Sequence, residues 1–162
     1  MKLATFAVLH VLAIAVAACS RHDRPCAVKV AGILSVNWLL FSLPWFYAPA
    51  SYAFLVGVPA RQEDGWALFD LFSMMAVIVV CWRVWWAPVI WSIYLVMLSM
   101  HAVAWANGLE YLDYAAVLDA GVAVQLAVIF MVGGPGCADR LLAGWSRIRS
   151  VGLLARKGRE AS

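Results

Sequence analysis

Charged residues are scarce in this sequence, and their scarcity excludes an ordinary soluble domain. Asp, Glu, Lys and Arg make up only 13% of the 162 residues, whereas hydrophobic residues make up 65%. The mean hydropathy is +0.87. A water-soluble globule of this length needs far more polar surface to cover its core. The composition therefore predicts a protein that lies in lipid.

Catalytic patterns are also missing. The sequence contains no HExxH, no Gly-rich phosphate loop and no Ser/His/Asp arrangement, so a hydrolase, kinase or metalloprotease has no support. The four cysteines form no CxxC pair and no group with histidine, and they are Cys19, Cys26, Cys81 and Cys137. We predict a non-enzymatic protein without metal or cofactor, in which the cysteines are scattered small apolar residues.

A haem site is disfavoured for a geometric reason. His10 and His101 are the candidate axial ligands, but bis-histidine ligation needs two facing rings. The central apolar segments contain a single histidine, His101.

Long apolar runs predict the fold class, an all-α polytopic transmembrane helical bundle. Backbone groups in lipid must bond internally, and runs of this length suit helices rather than the short strands of a barrel. Four membrane helices are expected in a core at 30–136, and the segments that form them are Val30–Tyr47, Trp66–Trp82, Pro88–Ala106, and a last one ending at Gly133–Gly136. Gly-Gly-Pro-Gly is expected to end the last helix. Arg83–Ala87 is predicted to be a tight turn, with Pro88 in the first turn of the following helix.

The first apolar segment, within residues 1–19, has two interpretations. Leu3–Ala18 is short for a full crossing, and Val16-Ala17-Ala18-Cys19 looks like the lipobox of a cleaved signal. The basic residues Arg21, Arg24 and Lys29 follow directly. Such a cluster resists translocation, which favours a retained fifth membrane helix over a cleaved signal.

The positive-inside rule gives one consistent topology. The basic loop 20–29, the Arg83 turn and the tail 137–162 all fall on one side. The opposite loops carry acidic residues, and these are Glu63, Asp64, Glu110 and Asp113, with Arg61 beside them. We therefore predict a multi-pass membrane protein with a cytoplasmic C-terminus.

The tail is predicted to be a basic amphipathic helix on the anionic cytoplasmic leaflet. Apolar residues recur there at helical spacing, and they are Leu141, Leu142, Trp145, Ile148 and Val151. Six of the twelve Lys and Arg residues lie among or after them, and these are Arg140, Arg147, Arg149, Arg156, Lys157 and Arg159. The predicted partner is anionic lipid, and no base-reading pattern indicates nucleic acid. A frayed positive-inside anchor is the alternative.

Polar residues inside the apolar segments are the candidate functional residues. Asp70, His101 and Asp119 come from three helices but fall in one layer, about 6–8 Å below the outer boundary. Asn37 is expected at mid-membrane, with Gln125 as an interhelical partner. Such groups usually face the bundle interior or water. The layer is interpreted either as interhelical contact or as a proton or ion pathway in which His101 carries the proton.

Helical spacing also groups residues into faces. Two faces are expected to pack against protein, and they are Asp70/Ser73/Met74/Val77/Cys81 and Tyr94/Leu98/His101/Trp105. A small-residue face for close helix approach is formed by Ala116, Ala120 and Ala123.

The central helices resemble the small four-helix membrane proteins encoded by tailed phages and prophages. The resemblance covers residues 30–134, leaves the first segment outside the pattern, and rests on the order Asn37-Trp38, Asp70, His101, Gln125 with tryptophans at the turns. It implies a bacterial inner-membrane protein of phage origin and carries over no site residues. Holins, which oligomerise until the membrane fails, belong to the same setting, although they usually have fewer helices.

Two functions follow as hypotheses. The first is a non-enzymatic module that assembles with itself or with a host membrane protein, in lysis or in exclusion of other phages. The alternative is a small ion pathway or transporter using Asp70, His101 and Asp119. An enzyme or redox subunit would need bound haem or quinone.

Overall fold

The protein is built from α-helices. A computed structural model describes the main chain of residues 2–21, 23–47, 62–107 and 111–160, and the side chains of 4–21, 23–39, 66–106 and 116–147. The helices are α1 (Lys2–Ala17), α2 (Arg24–Tyr47), α3 (Gln62–Cys81), α4 (Ala87–Asn107) and α5 (Tyr111–Glu160). No strand occurs in these ranges. The predicted all-α fold class is confirmed.

The helices close into a ring in chain order. Each packs against the next, α1 also packs against α5, and α2 makes a further contact across the ring with α5. The core is apolar, and its fully buried members include Ala13, Ala17, Val30, Ala31, Val77, Ile90 and Ile129. Because the first helix closes the ring, α1 is an integral part of this packing.

Contacts between side chains show which ends of the helices meet. Asn37 contacts Asp70 while Cys26 contacts Val80, so α2 and α3 are antiparallel. Asp23 accepts a hydrogen bond from Trp86 (3.3 Å), and Arg21 pairs with Asp139. The segments carrying Arg21–Lys29, Arg83 and Arg140 therefore meet at one end of the bundle, here called the basic end. This grouping is the one that the sequence predicted.

The turn between α3 and α4 agrees with the prediction. Backbone hydrogen bonds from Val84 N to Cys81 O (3.0 Å) and from Ala87 N to Val84 O (3.1 Å) shape it. Helix α4 begins at Ala87, which puts Pro88 in the first turn, where a missing N–H leaves no carbonyl unsatisfied.

Helix α2 begins earlier than predicted. Arg24 is its first residue, so part of the predicted basic loop 20–29 is helical. Pro25 explains the early start, because its fixed φ suits the first position of a helix. The helix is described as far as Tyr47, and the residues that follow lie outside the described ones.

The predicted end of the last helix at Gly133–Gly136 is wrong. Helix α5 continues through this stretch with Pro135 inside it, and it runs for 50 residues to Glu160. Tertiary contact explains why the glycines do not end it. A β-carbon at Gly133 would clash with the carbonyl oxygen of Val16, and one at Gly136 with that of Cys19. The two glycines let α1 and α5 touch through their backbones, which stabilises a helix that local propensity alone would break. We call this the glycine contact.

Two helical stretches have the length and composition of membrane spans, Ala87–Ala106 and Ala116–Arg147. Two further apolar helices, Ala4–Ala17 and Trp66–Cys81, are shorter. The two qualifying helices support membrane association. In the described part of the chain, however, only these two meet the criterion of length and composition, whereas the sequence predicted four or five membrane helices. The predicted opposite loops lie largely outside the described residues, at 48–61 and 108–110.

Candidate functional site

A hydrogen-bonded group of polar side chains lies inside the ring, where α2, α3 and α4 meet. Asp70 is its centre and is only 5% exposed. Asn37 donates from Nδ2 to Asp70 Oδ1 at 2.9 Å, and His101 Nε2 lies 3.0 Å from Asp70 Oδ2. Each carboxylate oxygen therefore has a partner from a different helix.

Two hydroxyl groups lie beside these side chains. Asn37 Nδ2 also donates to Tyr94 Oη at 3.3 Å, and Ser73 lies on the same buried face of α3 as Asp70. We call the five residues Asn37, Asp70, Ser73, Tyr94 and His101 the polar cluster. A buried polar network rigidifies its surroundings when its groups are hydrogen-bonded. Loss of one hydrogen bond leaves a buried polar group without a partner, which lowers stability.

Helical spacing brings these residues together. Tyr94 and His101 are seven residues apart, so they lie on one face of α4 two turns from each other. Asp70 and Ser73 are likewise neighbours on α3, and the predicted α3 face of Asp70, Ser73, Met74, Val77 and Cys81 is buried as expected. The α4 face differs from the prediction, since Trp105 is 68% exposed and Leu98 only partly buried. Met97 and Ala104 are buried beside His101 instead.

The central pair of the polar cluster is the His101 imidazole and the Asp70 carboxylate. A hydrogen on His101 Nε2 is donated to Asp70 Oδ2, since a carboxylate oxygen accepts and an imidazole N–H donates. Because His101 is 4% exposed, water has little access to this bond. The arrangement can hold a proton between two helices, and it can equally fix their register.

Asp119, the third residue of the predicted layer, is placed differently. It lies on α5, which packs against the helix that carries His101. Its side chain is half-buried, whereas Asp70 and His101 are buried. The structure thus brings two of the three predicted residues into one hydrogen bond and leaves the third in a more open position.

The predicted pairing of Asn37 with Gln125 is wrong. Gln125 is buried, but it donates from Nε2 to the backbone carbonyl of Ile90 at 3.4 Å. Asn37 bonds Asp70 and Tyr94 instead. A carboxylate accepts more strongly than a neutral amide, so the nearest acid on α3 takes the amide donor of α2.

Sequence reasoning gave Tyr94 no polar role. Its spacing from His101 was the available signal, since a phenol on the same face as a buried histidine must find a partner for its hydroxyl group.

His10 lies elsewhere in the bundle. Its ring stacks on Trp38 at a centroid distance of 4.9 Å, and its Nδ1 bonds the carbonyl of Phe6 (2.8 Å) on α1. His101 bonds Asp70. The two rings therefore do not face each other as haem ligands would, and no group of three or more potential metal ligands occurs among the described residues.

The basic tail continues α5 beyond the ring. Arg140 and Arg147 are exposed, as are Leu141, Leu142 and Trp145 between them. The side chains of Arg149, Arg156, Lys157 and Arg159 lie outside the described ones. The predicted helical form of the tail is confirmed as far as Glu160.

Comparison with known proteins adds no family. No protein-family model matches this chain, and no curated protein or solved structure matches it. Function is therefore inferred from geometry.

Proposed function

We propose that this chain is a non-enzymatic, multi-pass inner-membrane protein that acts by assembling with copies of itself or with another membrane protein. One observation supports the proposed assembly. The small-residue face of α5, formed by Ala116, Ala120 and Ala123, is exposed on the outside of the ring. In lipid, small side chains let a second helix approach closely, and dispersion contacts then hold the pair.

The distribution of polarity supports a lipid environment. Large apolar side chains on three helices are exposed by 66–72%, and they are Val11, Phe72, Val79 and Met131. Polar side chains such as Asp70, His101 and Gln125 are buried. This is the reverse of a soluble protein, in which the exposed large apolar surface would be an aggregation hazard.

We propose that α1, α2 and α3 cross the bilayer together with α4 and α5. α1 has 16 residues and α3 has 20, which correspond to about 24 and 30 Å of helix. The hydrocarbon core is about 30 Å thick, and a short helix is accommodated by local thinning of the bilayer. Because both helices pack in the same ring as α4 and α5, they would share the same bilayer. The basic end would face the cytoplasm.

Assembly is tested by adding bulk to the exposed face. Ala120→Leu should lower the oligomer fraction in lipid nanodiscs several-fold while the single chain stays folded. Single-molecule photobleaching counts the copies. Ala102→Leu is the matched control, because Ala102 is an exposed alanine on α4, away from this face. Equal oligomer fractions for both variants would count against the proposal, as would a wild type that is monomeric throughout.

The tail supplies a second partner in this proposal, anionic lipid. Exposed Leu141 and Trp145 beside Arg140 and Arg147 suit a helix that meets an anionic surface. Each basic residue near such a surface contributes about 1 kcal/mol. A synthetic peptide of residues 137–162 should bind phosphatidylglycerol vesicles and leave phosphatidylcholine vesicles unbound. Equal binding to both would remove the lipid partner.

An ion pathway is the second candidate, and the buried His101–Asp70 bond is the observation that favours it. Measurements of membrane potential and dye leakage, in bacteria induced to express the protein, distinguish the ion pathway from the assembly. A pH-dependent current lost in Asp70→Asn would support the pathway. Abrupt depolarisation with leakage of large dyes, lost in Ala120→Leu, would support an assembly of the holin type, in keeping with the proposed phage origin.

A further inference from the structure

Contacts between helices bring the four cysteines together in two pairs. The carbonyl oxygen of Cys19 lies where a β-carbon of Gly136, the residue before Cys137, would be. The Cys26 thiol donates to the carbonyl oxygen of Val80, the residue before Cys81. All four are free thiols in the structure. The prediction that they are scattered is therefore wrong, because helix packing joins positions that are far apart along the chain.

The first pair links α1 to α5 at the glycine contact. The carbonyl oxygen of Cys19 lies where a β-carbon of Gly136 would be, so the two backbones touch next to the pair. Arg21 and Asp139, each two residues beyond a cysteine of the pair, form an ion pair. A disulfide needs Cα atoms about 4.4–6.8 Å apart, and the backbone contact beside the two cysteines favours such a short separation. Both thiols are partly exposed.

The second pair links α2 to α3. The Cys26 thiol donates to the carbonyl oxygen of Val80 at 3.8 Å, which holds it against the last turn of α3. Cys81 is buried, with 1% of its surface exposed. Reagents in water can therefore reach one sulfur of this pair, whereas they can reach both sulfurs of the first pair.

We propose that the two pairs are sites of intramolecular disulfide formation, and that Cys19–Cys137 is the redox-accessible one, fastening α1 to α5 where the tail begins. Both pairs lie at the basic end. The inference concerns the chain as a single bundle, so it stands whether or not the chain assembles.

The oxidant is a low-molecular-weight disulfide of the glutathione class. The thiolate of one cysteine attacks a sulfur of this disulfide, and one molecule of the small thiol leaves. The second cysteine then attacks the mixed disulfide, forms the bond between Cys19 and Cys137, and releases the second small thiol. The two protein thiols lose two electrons and two protons, and the small disulfide becomes two thiols.

Redox compartment sets the resting state. At a cytoplasmic basic end the pairs would be reduced dithiols, closing only under oxidative conditions, whereas on the opposite side of the membrane they would be oxidised. A disulfide that joins α1 to α5 closes most of the chain into a loop, so oxidation should raise the melting temperature, and reductant should reverse the rise.

The test uses the full chain in detergent and three variants. Cys26→Ser/Cys81→Ala retains the first pair, Cys19→Ser/Cys137→Ser retains the second, and Cys19→Ser/Cys81→Ala retains one cysteine of each. Each is treated with oxidised glutathione, and the free thiols are then capped with a maleimide and counted by intact mass. Intact mass separates an internal disulfide, which lacks two hydrogens, from a thiol that carries one glutathione. We expect an internal disulfide in the first variant and at least tenfold slower formation of one in the second. We expect none in the third, whose thiols are either capped or stop at the mixed disulfide.

Peptide mapping of the oxidised wild type gives a readout without substitutions. A Cys19–Cys137 linked peptide is expected before a Cys26–Cys81 one. Equal oxidation in all three variants, disulfides only between separate chains, or a wild type cleaved before Cys19 would each overturn the proposal. Faster closure of the Cys26–Cys81 pair would overturn the assignment of Cys19–Cys137 as the accessible one.

Discussion

Two contacts hold this bundle together by opposite means. The polar cluster joins α2, α3 and α4 through directional hydrogen bonds to a buried carboxylate. The glycine contact joins α1 to α5 by removing side chains so that the backbones meet. The hydrophobic effect gives helices little reason to associate in lipid. The ring therefore depends on specific hydrogen bonds at one place and on close dispersion contact at the other.

The difference between them is tolerance to change. A hydrogen-bonded side chain can turn or find another partner, and polar contacts in membranes average only about 0.6 kcal/mol for this reason. A carbonyl group in a helix cannot move without disturbing its own helix. We therefore expect the glycine contact to be the more fragile of the two, although it contains no polar side chain.

The largest effect is expected for Gly133→Ala. The added methyl group would meet the main chain of Val16, so α1 has to move away, at a cost of about 3 kcal/mol, the upper part of the range for overpacking. Reversible unfolding in mixed micelles measures the free energy of unfolding.

Gly134→Ala is the matched control for this change. A β-carbon at Gly134 has open space around it, so the variant should be as stable as the wild type, or more stable by up to about 1 kcal/mol from helix propensity. Similar losses in the two variants would show that the close approach of α1 is unimportant.

An intermediate effect is expected for Asp70→Ala. This change leaves the Asn37 amide and the His101 ring without their acceptor in a buried place, and each unsatisfied group has a cost, so we expect a loss of about 2 kcal/mol. The same unfolding assay applies. Asp119→Ala serves as the comparison, because Asp119 is half-buried and its removal should cost less. A larger loss of stability for Asp119→Ala than for Asp70→Ala would show that the most important polar contacts of the bundle are on α5.

The smallest effect is expected for Gln125→Leu. Its hydrogen bond to Ile90 is long at 3.4 Å, and leucine fills most of the same volume with apolar atoms, so the free energy of unfolding should change by less than about 1 kcal/mol. If this variant lost as much stability as Asp70→Ala, buried amides rather than the carboxylate would hold α4 in place.

The sequence predicted the helical class, the Arg83–Ala87 turn and the gathering of basic segments at one end. Each of these depends on local composition or on residues close in sequence. Apolar runs must become helices in lipid, and Pro88 suits a helix start wherever the helix packs. The predicted α3 face was correct for the same reason, since helical periodicity fixes which residues share a side.

The errors in side-chain pairing concern partners on other helices. The sequence placed Asp70, His101 and Asn37 in the interior, but only the rotation of α2, α3 and α4 about their axes decided that Asn37 meets Asp70 and not Gln125. The burial of Tyr94 as the second acceptor for Asn37 was decided in the same way.

The glycine stretch and the cysteines show most clearly what tertiary structure decided. The stretch Gly133–Gly136 predicts a helix end because glycine and proline lower helix stability locally. The helix nevertheless continues, because the backbone at the end of α1 and just after it packs where Gly133 and Gly136 lack side chains. Cys19 directly follows the first helix and Cys137 lies on the last, and only closure of the ring brings their backbones together. Composition and periodicity thus determined the apolar character and the secondary structure, whereas the pairing of residues distant in sequence depended on the packing of whole helices.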